Sequence, residues 1–258
     1  MIYVVLGMHK SGTSLVSETL HHSGISMVEP EDIEGASGYD DGNKHERHEV
    51  FDINNEILGS HGVESIDILP PRALRVTPAL RRRMTDLVGR LSSSYADWGF
   101  KDPRLCFTYP VWEQVLPEHR VIGVYRPLHE LAFRYRADRS LRRAFRLVRA
   151  WRDNNERMIE HLAKLERPWI LVHYGRLMEG DTELRRIEAF VGRPVVDRRK
   201  PALRRGTATP NWRMRVAERL HRIRTGWSAA TCIARLDELA GHGGAHSDSR
   251  PASVAGAK

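Results

Sequence analysis

The segment Gly7-Met-His-Lys-Ser-Gly-Thr-Ser14 combines residue types and a spacing that can do chemistry. It follows the apolar, β-branched run that starts at Ile2 and precedes a helical pattern, so the N–H groups of a short Gly/Ser/Thr turn collect at a helix N-terminus. Such a turn is a seat for phosphate. Gly7 and Gly12 stand in the frame of a Walker loop, but Thr13 occupies the position of the lysine that reaches β/γ-phosphates in such loops. The cation inside this loop is Lys10, at the mouth of the turn, where it can neutralise the bridging oxygen or terminal group of a 5′-phosphate ester. That geometry suits a metal-free anionic donor better than Mg·ATP.

The elements that must position this loop follow from periodicity. Residues 2–7 read as a buried strand and Ser14 to about His22 as the helix it feeds. The stretch 24–42, rich in Gly, Glu, Asp and Ser, reads as a long loop. A helix follows over 49–58 with Val50, Ile53, Ile57 and Leu58 on one side. Residues 60–78 are irregular, with Pro70, Pro71 and Pro78, and another helix runs to about Ser92. The spacing then predicts strand Asp97–Lys101 ended by Lys101-Asp-Pro-Arg104, a short helix 105–116, a central strand Arg120–Tyr125, and two helical pieces from Glu130 to about His161. Arg139, Arg142, Arg143, Arg146 and Arg149 occupy the polar faces of the latter, as a solvated surface or a contact for an acidic partner. A strand 169–172, a helix 181–191 closed by Gly192, and helices at 211–224 and 228–240 complete the pattern. Strands alternating with helices imply an α/β fold with a parallel sheet, and ligands then gather at the carboxyl ends of its strands.

Gly7-Met-His-Lys-Ser-Gly-Thr-Ser14 resembles the 5′-phosphosulfate loop of the bacterial P-loop sulfotransferases. Trp98-Gly-Phe-Lys-Asp-Pro-Arg104, Val121-Ile-Gly-Val-Tyr-Arg-Pro-Leu-His-Glu-Leu-Ala132 and Trp169-Ile-Leu-Val-His-Tyr174 resemble later segments of the same family, in the same order, through about residue 205. The resemblance implies a P-loop-type three-layer sandwich, with 3′-phosphoadenosine 5′-phosphosulfate (PAPS) as donor, its desulfated form (PAP) as product, and no metal. It also implies that His9, Lys10, Ser11, Gly12, Thr13 and Ser14 cradle the 5′ end, with Lys10 assisting the sulfuryl group. Arg126 takes the place of the family's 3′-phosphate arginine. Arg134 stands where the family has a serine and either holds that phosphate bidentately or points elsewhere. Arg204 and Arg205, in the basic run 198–205, fall where the family closes a loop over the donor.

For the general base, the resemblance puts Glu46 on the family's carboxylate, with His45, His48 and Asp41 as rivals; Asp41, His48 and Arg104 also fall where an acceptor would bind. Lys101 assists the sulfuryl group or the substrate, while Asp102 can pair with Arg104 to hold the turn. Sulfuryl transfer asks mainly for positioning and electrostatics, which this inventory supplies.

The bulk numbers fit. A chain of 258 residues, 41% apolar, can bury the core of a single domain over 1–240, with 241–258 as a disordered tail. Cys106 and Cys232 are too few for a disulfide framework or a zinc ligand set and read as packing residues. No apolar stretch spans a bilayer and no leader is evident, so a cytoplasmic protein is expected. A net charge of +8 attracts anions without saying which. A P-loop kinase using Mg·ATP is disfavoured by Thr13. A nucleic-acid binder is disfavoured because the arginines are not interleaved with aromatics on a sheet, so no nucleic-acid partner is expected. The reading is transfer of a sulfuryl group from PAPS to a hydroxyl of a small molecule or glycoside, with a bacterial secondary metabolite as the expected acceptor.

Overall fold

The computed structural model describes residues 1–34, 45–71, 73–200 and 211–242. Four strands form a parallel sheet: β1 (Ile2–Leu6), β2 (Trp98–Lys101), β3 (His119–Tyr125) and β4 (Trp169–His173). Their order is β2-β1-β3-β4. The chain leaves β1 for β2 on one side and then returns past β1 to β3 on the other. The strand order therefore reverses between β1 and β3, where parallel sheets open a crevice at their carboxyl ends.

Alternation along the strands builds the three layers. Val4, Leu6, Phe100, Val121 and Tyr125 face one apolar cluster, and Tyr3, Val5, Ile122, Val124, Ile170 and Val172 face the other. The first face is covered by α3 (His48–Leu58), α4 (Pro78–Ser94), α5 (Leu105–Glu113) and α7 (Leu141–Leu162); the second by α1 (Thr13–His22) and α9 (Thr182–Val191). Because both faces are buried, the strands read as continuous apolar runs. The expected α/β sandwich is the fold observed.

Three local expectations are refined. The stretch 24–42 is not one loop: Ser26 bridges to Trp98, and α2 (Pro30–Glu34) follows. The two helical pieces after β3 are α6 (Leu128–Leu131) and α7, separated by turns through 132–138. A short helix, α8 (Tyr174–Glu179), starts where β4 ends and carries no periodicity of its own because it is only 6 residues long. Helices α10 (Trp212–Thr225) and α11 (Ala229–His242) pack on α7 and β4. The arginine stripe of α7 is partly internal: Arg146 Nε donates to Asp67 Oδ1 at 2.5 Å and Arg143 reaches Glu64 at 3.4 Å, which ties down the 3-10 turn Ser65–Asp67.

Candidate active site

β1 delivers the chain to Gly7, whose φ of 155° and position under Val124 O, 2.5 Å from where a Cβ would stand, admit no side chain. The turn then tightens through Ser11 N–H to Met8 O at 3.0 Å. Lys10 holds a left-handed φ of 69°, a conformation costing a non-glycine residue about 1 kcal/mol. Gly12 is the N-cap of α1 at φ 107°, with no side-chain cap and no acidic residue in the first turn. Leu15 N–H turns back to Gly12 O at 3.1 Å, so the N–H groups that precede it in the first turn are the ones an anion would meet at this end of the helix. Ser11 faces inward: its hydroxyl donates to Val124 O at 3.2 Å and fastens the turn to β3. Thr13 is buried with its methyl against Gly7.

Lys101, the last residue of β2, extends beneath this turn. Its Nζ donates to Ser14 Oγ at 3.2 Å and forms an ion pair with Glu46. Both side chains are buried, 1% and 4% exposed, so each charge is compensated chiefly by the other. Arg47 sets Glu46 in place. Its buried guanidinium bonds Gly99 O at 3.0 Å and Ser26 O at 2.7 Å and pairs with Glu29, anchoring the approach to α3 on the edge of β2. Asp102 is also buried. Its Oδ1 accepts from Arg104 N at 2.7 Å, and burial, then the Glu46 carboxylate, push its carboxyl up to about 7. Arg104 lies over the Phe51 ring at 4.4 Å. A cavity of about 220 Å³ opens here, with Glu46 and Arg104 in its wall.

On the other side of the turn, Arg126 follows β3 directly. Its carbonyl accepts from Trp151 Nε1 at 2.8 Å and its Nε donates to Glu130 Oε2 at 2.9 Å. Its guanidinium stacks over the Tyr174 ring at 4.4 Å, and a Cβ on Gly12 would lie 2.1 Å from Tyr174 Cδ2. The same ring therefore touches the glycine of the turn and the arginine at the end of β3.

The remaining candidates separate. His9 lines the cavity, with Nδ1 shared between Tyr135 Oη at 3.3 Å and Ser65 Oγ at 3.2 Å; burial, then the Lys10 ammonium, pull it down to about 3, so it is neutral. His45, at φ 61°, turns its ring toward His21 and His22, and burial brings it down to about 4. His48 pairs with Asp32 at 2.7 Å on the solvent side of α3 and is not part of the cavity wall. Arg134 sits half-buried in the turns after α6, not on a helix. Asp41, Arg204 and Arg205 lie outside the described residues. Sequence reasoning missed Arg47 as the anchor of Glu46 and gave Tyr174 no role at the site. Among the described residues, no group of three or more His, Cys, Asp or Glu side chains is arranged to hold a metal ion, and no helix is long and apolar enough to cross a membrane.

Fold and site together gather buried polar and charged groups at the carboxyl ends of a parallel α/β sheet. The model of the Sulfotransferase family matches residues 3–197, and the chain belongs to that family. Two solved structures share the fold. The sulfotransferase domain of the Synechococcus PCC 7002 olefin synthase is 15% identical, with TM-score 0.50 over 93% of this chain and 94% of that one. The sulfotransferase domain from the curacin biosynthetic pathway is 13% identical, with TM-score 0.51 over 92% and 96%. No curated protein sequence matches the chain.

Proposed function

We propose that this protein transfers the sulfuryl group of PAPS to a hydroxyl of a small molecule, with Glu46 as the general base. The observation that carries this reading is the unbroken row of contacts from Glu46 through Lys101 and Ser14 to the turn at Gly12, and on through Tyr174 to Arg126. A donor with a phosphosulfate at one end and a separate 3′-phosphate at the other asks for two cationic stations joined by a short bridge. The residues fit that demand: uncapped N–H groups behind a left-handed glycine, with Lys10 at the mouth, form one station. Arg126, oriented by Glu130 and Tyr174, forms the other.

When bound, the donor supplies the sulfuryl group and a phosphate leaving group. The chain's own residues do the rest. Glu46 accepts the proton of the acceptor hydroxyl. Lys101 pairs with Glu46 in a buried setting and, through Ser14, links it to the turn. Lys10 and the first-turn N–H groups stabilise the negative charge that develops there, a role worth most where water is excluded.

The test is direct. PAP at about 100 times its Kd should add about 2.7 kcal/mol of stability, read as a rise in melting temperature, and Lys10→Ala or Arg126→Ala should remove most of that rise. Glu46→Ala should keep it while turnover with PAPS falls by about two orders of magnitude or more. Greater stabilisation by Mg·ATP than by PAP would favour a kinase instead. Near-normal turnover in the Glu46 variant would return the base role to His45, His48 or Asp41.

A further inference from the structure

The cavity beside Glu46 is chemically two-ended. Phe51, Phe107, Met8 and Ile68 supply apolar wall, with Glu46 at one place in the lining and Arg104 at another. Its volume, about 220 Å³, is roughly half as large again as the 150 Å³ that holds a benzene molecule. There is room for one ring and a short substituent. The wall is held from outside, since Ser65 and Ile68 flank the turn that Arg146 clamps through Asp67.

Arg104 is the unexplained member. Its side chain is 11% exposed, and its Nε–H is buried with no hydrogen-bond partner among the described residues. Nη1 makes only long contacts with Asp102, 3.3 and 3.4 Å. Buried guanidinium donors are seldom left idle, and the fork geometry of arginine matches a carboxylate. Asp102, with its carboxyl raised to about 7 by burial and then by Glu46, offsets only part of the Arg104 charge near neutral pH.

We propose that the cavity takes a one-ring hydroxy acid, its hydroxyl toward Glu46 and its carboxylate held by Arg104. This rests on the acceptor site lying at Glu46, as argued above, but not on the identity of the donor. Arg104 acts here as a specificity determinant and takes no part in the proton transfer.

Calorimetric titration tests it, with 4-hydroxybenzoate and 4-methylphenol as probes, on the protein alone and with PAP present. The carboxylate should bind at least about tenfold more tightly than the methyl compound, the gain of one charge-assisted hydrogen bond to a buried cation. Arg104→Gln should bring the two affinities within about twofold, and Arg104→Lys should fall between. Using the ratio cancels any general loosening of the site. A two-ring analogue, 4′-hydroxybiphenyl-4-carboxylate, should bind at least about tenfold more weakly than 4-hydroxybenzoate. A wild-type ratio near one, a ratio that survives in Arg104→Gln, equal binding of the two-ring probe, or no binding of either single-ring probe would each overturn the proposal. Loss of the PAP thermal shift with the carboxylate preference intact would remove the donor reading and leave this one standing. A normal PAP shift with no preference would do the reverse.

Discussion

Lys101→Met isolates the interaction at the centre of the site. The substitution keeps most of the side-chain volume and removes the cation that compensates Glu46. With the two side chains 1% and 4% exposed and Arg47 fixing the neighbouring backbone on β2, the carboxylate left behind keeps little solvation. Stranding one member of a buried pair costs about 3–5 kcal/mol. At about 2–4 °C per kcal/mol for a domain of this size, the melting temperature should drop by roughly 10 °C. Glu46→Leu combined with Lys101→Met removes both charges and should come back to within about 1 kcal/mol of the wild type, because an apolar pair of similar volume carries no desolvation penalty. The four proteins form a double-mutant cycle, read by urea unfolding with attention to a constant m-value. A coupling energy of about 3 kcal/mol or more is expected. If Lys101→Met costs under about 1 kcal/mol, or the double variant loses the sum of the singles, the two groups are not mutually compensated and the chain of contacts from Glu46 to the turn has no energetic content.

Two further outcomes follow from the same geometry. Because the folded Asp102 carboxyl titrates near 7, above its unfolded value, its contribution is fully present below about pH 4 and is lost as the pH rises through about 7; Asp102→Asn should therefore gain melting temperature relative to the wild type between pH 5 and pH 8, and a constant difference across that window would show that the buried charge is not felt. Gly12→Ala places a methyl group 2.1 Å from Tyr174 Cδ2 at a φ of 107°, so it should lose at least about tenfold in PAP affinity along with stability; an unchanged PAP shift from a stably folded variant would contradict the assigned role of the turn.

Local features of this protein were legible in the amino-acid sequence because their causes are local. A β-branched run ending at Gly7, a turn of Gly, Ser and Thr, and a helix after it need only neighbouring residues to be read, and the same holds for Lys101 and Arg126 at the ends of apolar strands. Tertiary structure decided which of these side chains meet. Lys101 and Glu46 are 55 positions apart, and they pair because β2 lies beside β1 in the order β2-β1-β3-β4 and because Arg47 pins the residue after Glu46 to Gly99. Tyr174 touches Gly12 and Arg126 because β4 lies next to β3 in parallel register, Val124 opposite Val172 and Tyr125 opposite His173. Ser11 turned away from the mouth of the turn for the same reason: Val124 O came within 3.2 Å. Strand order and register join residues through space, and no spacing along the chain encodes them.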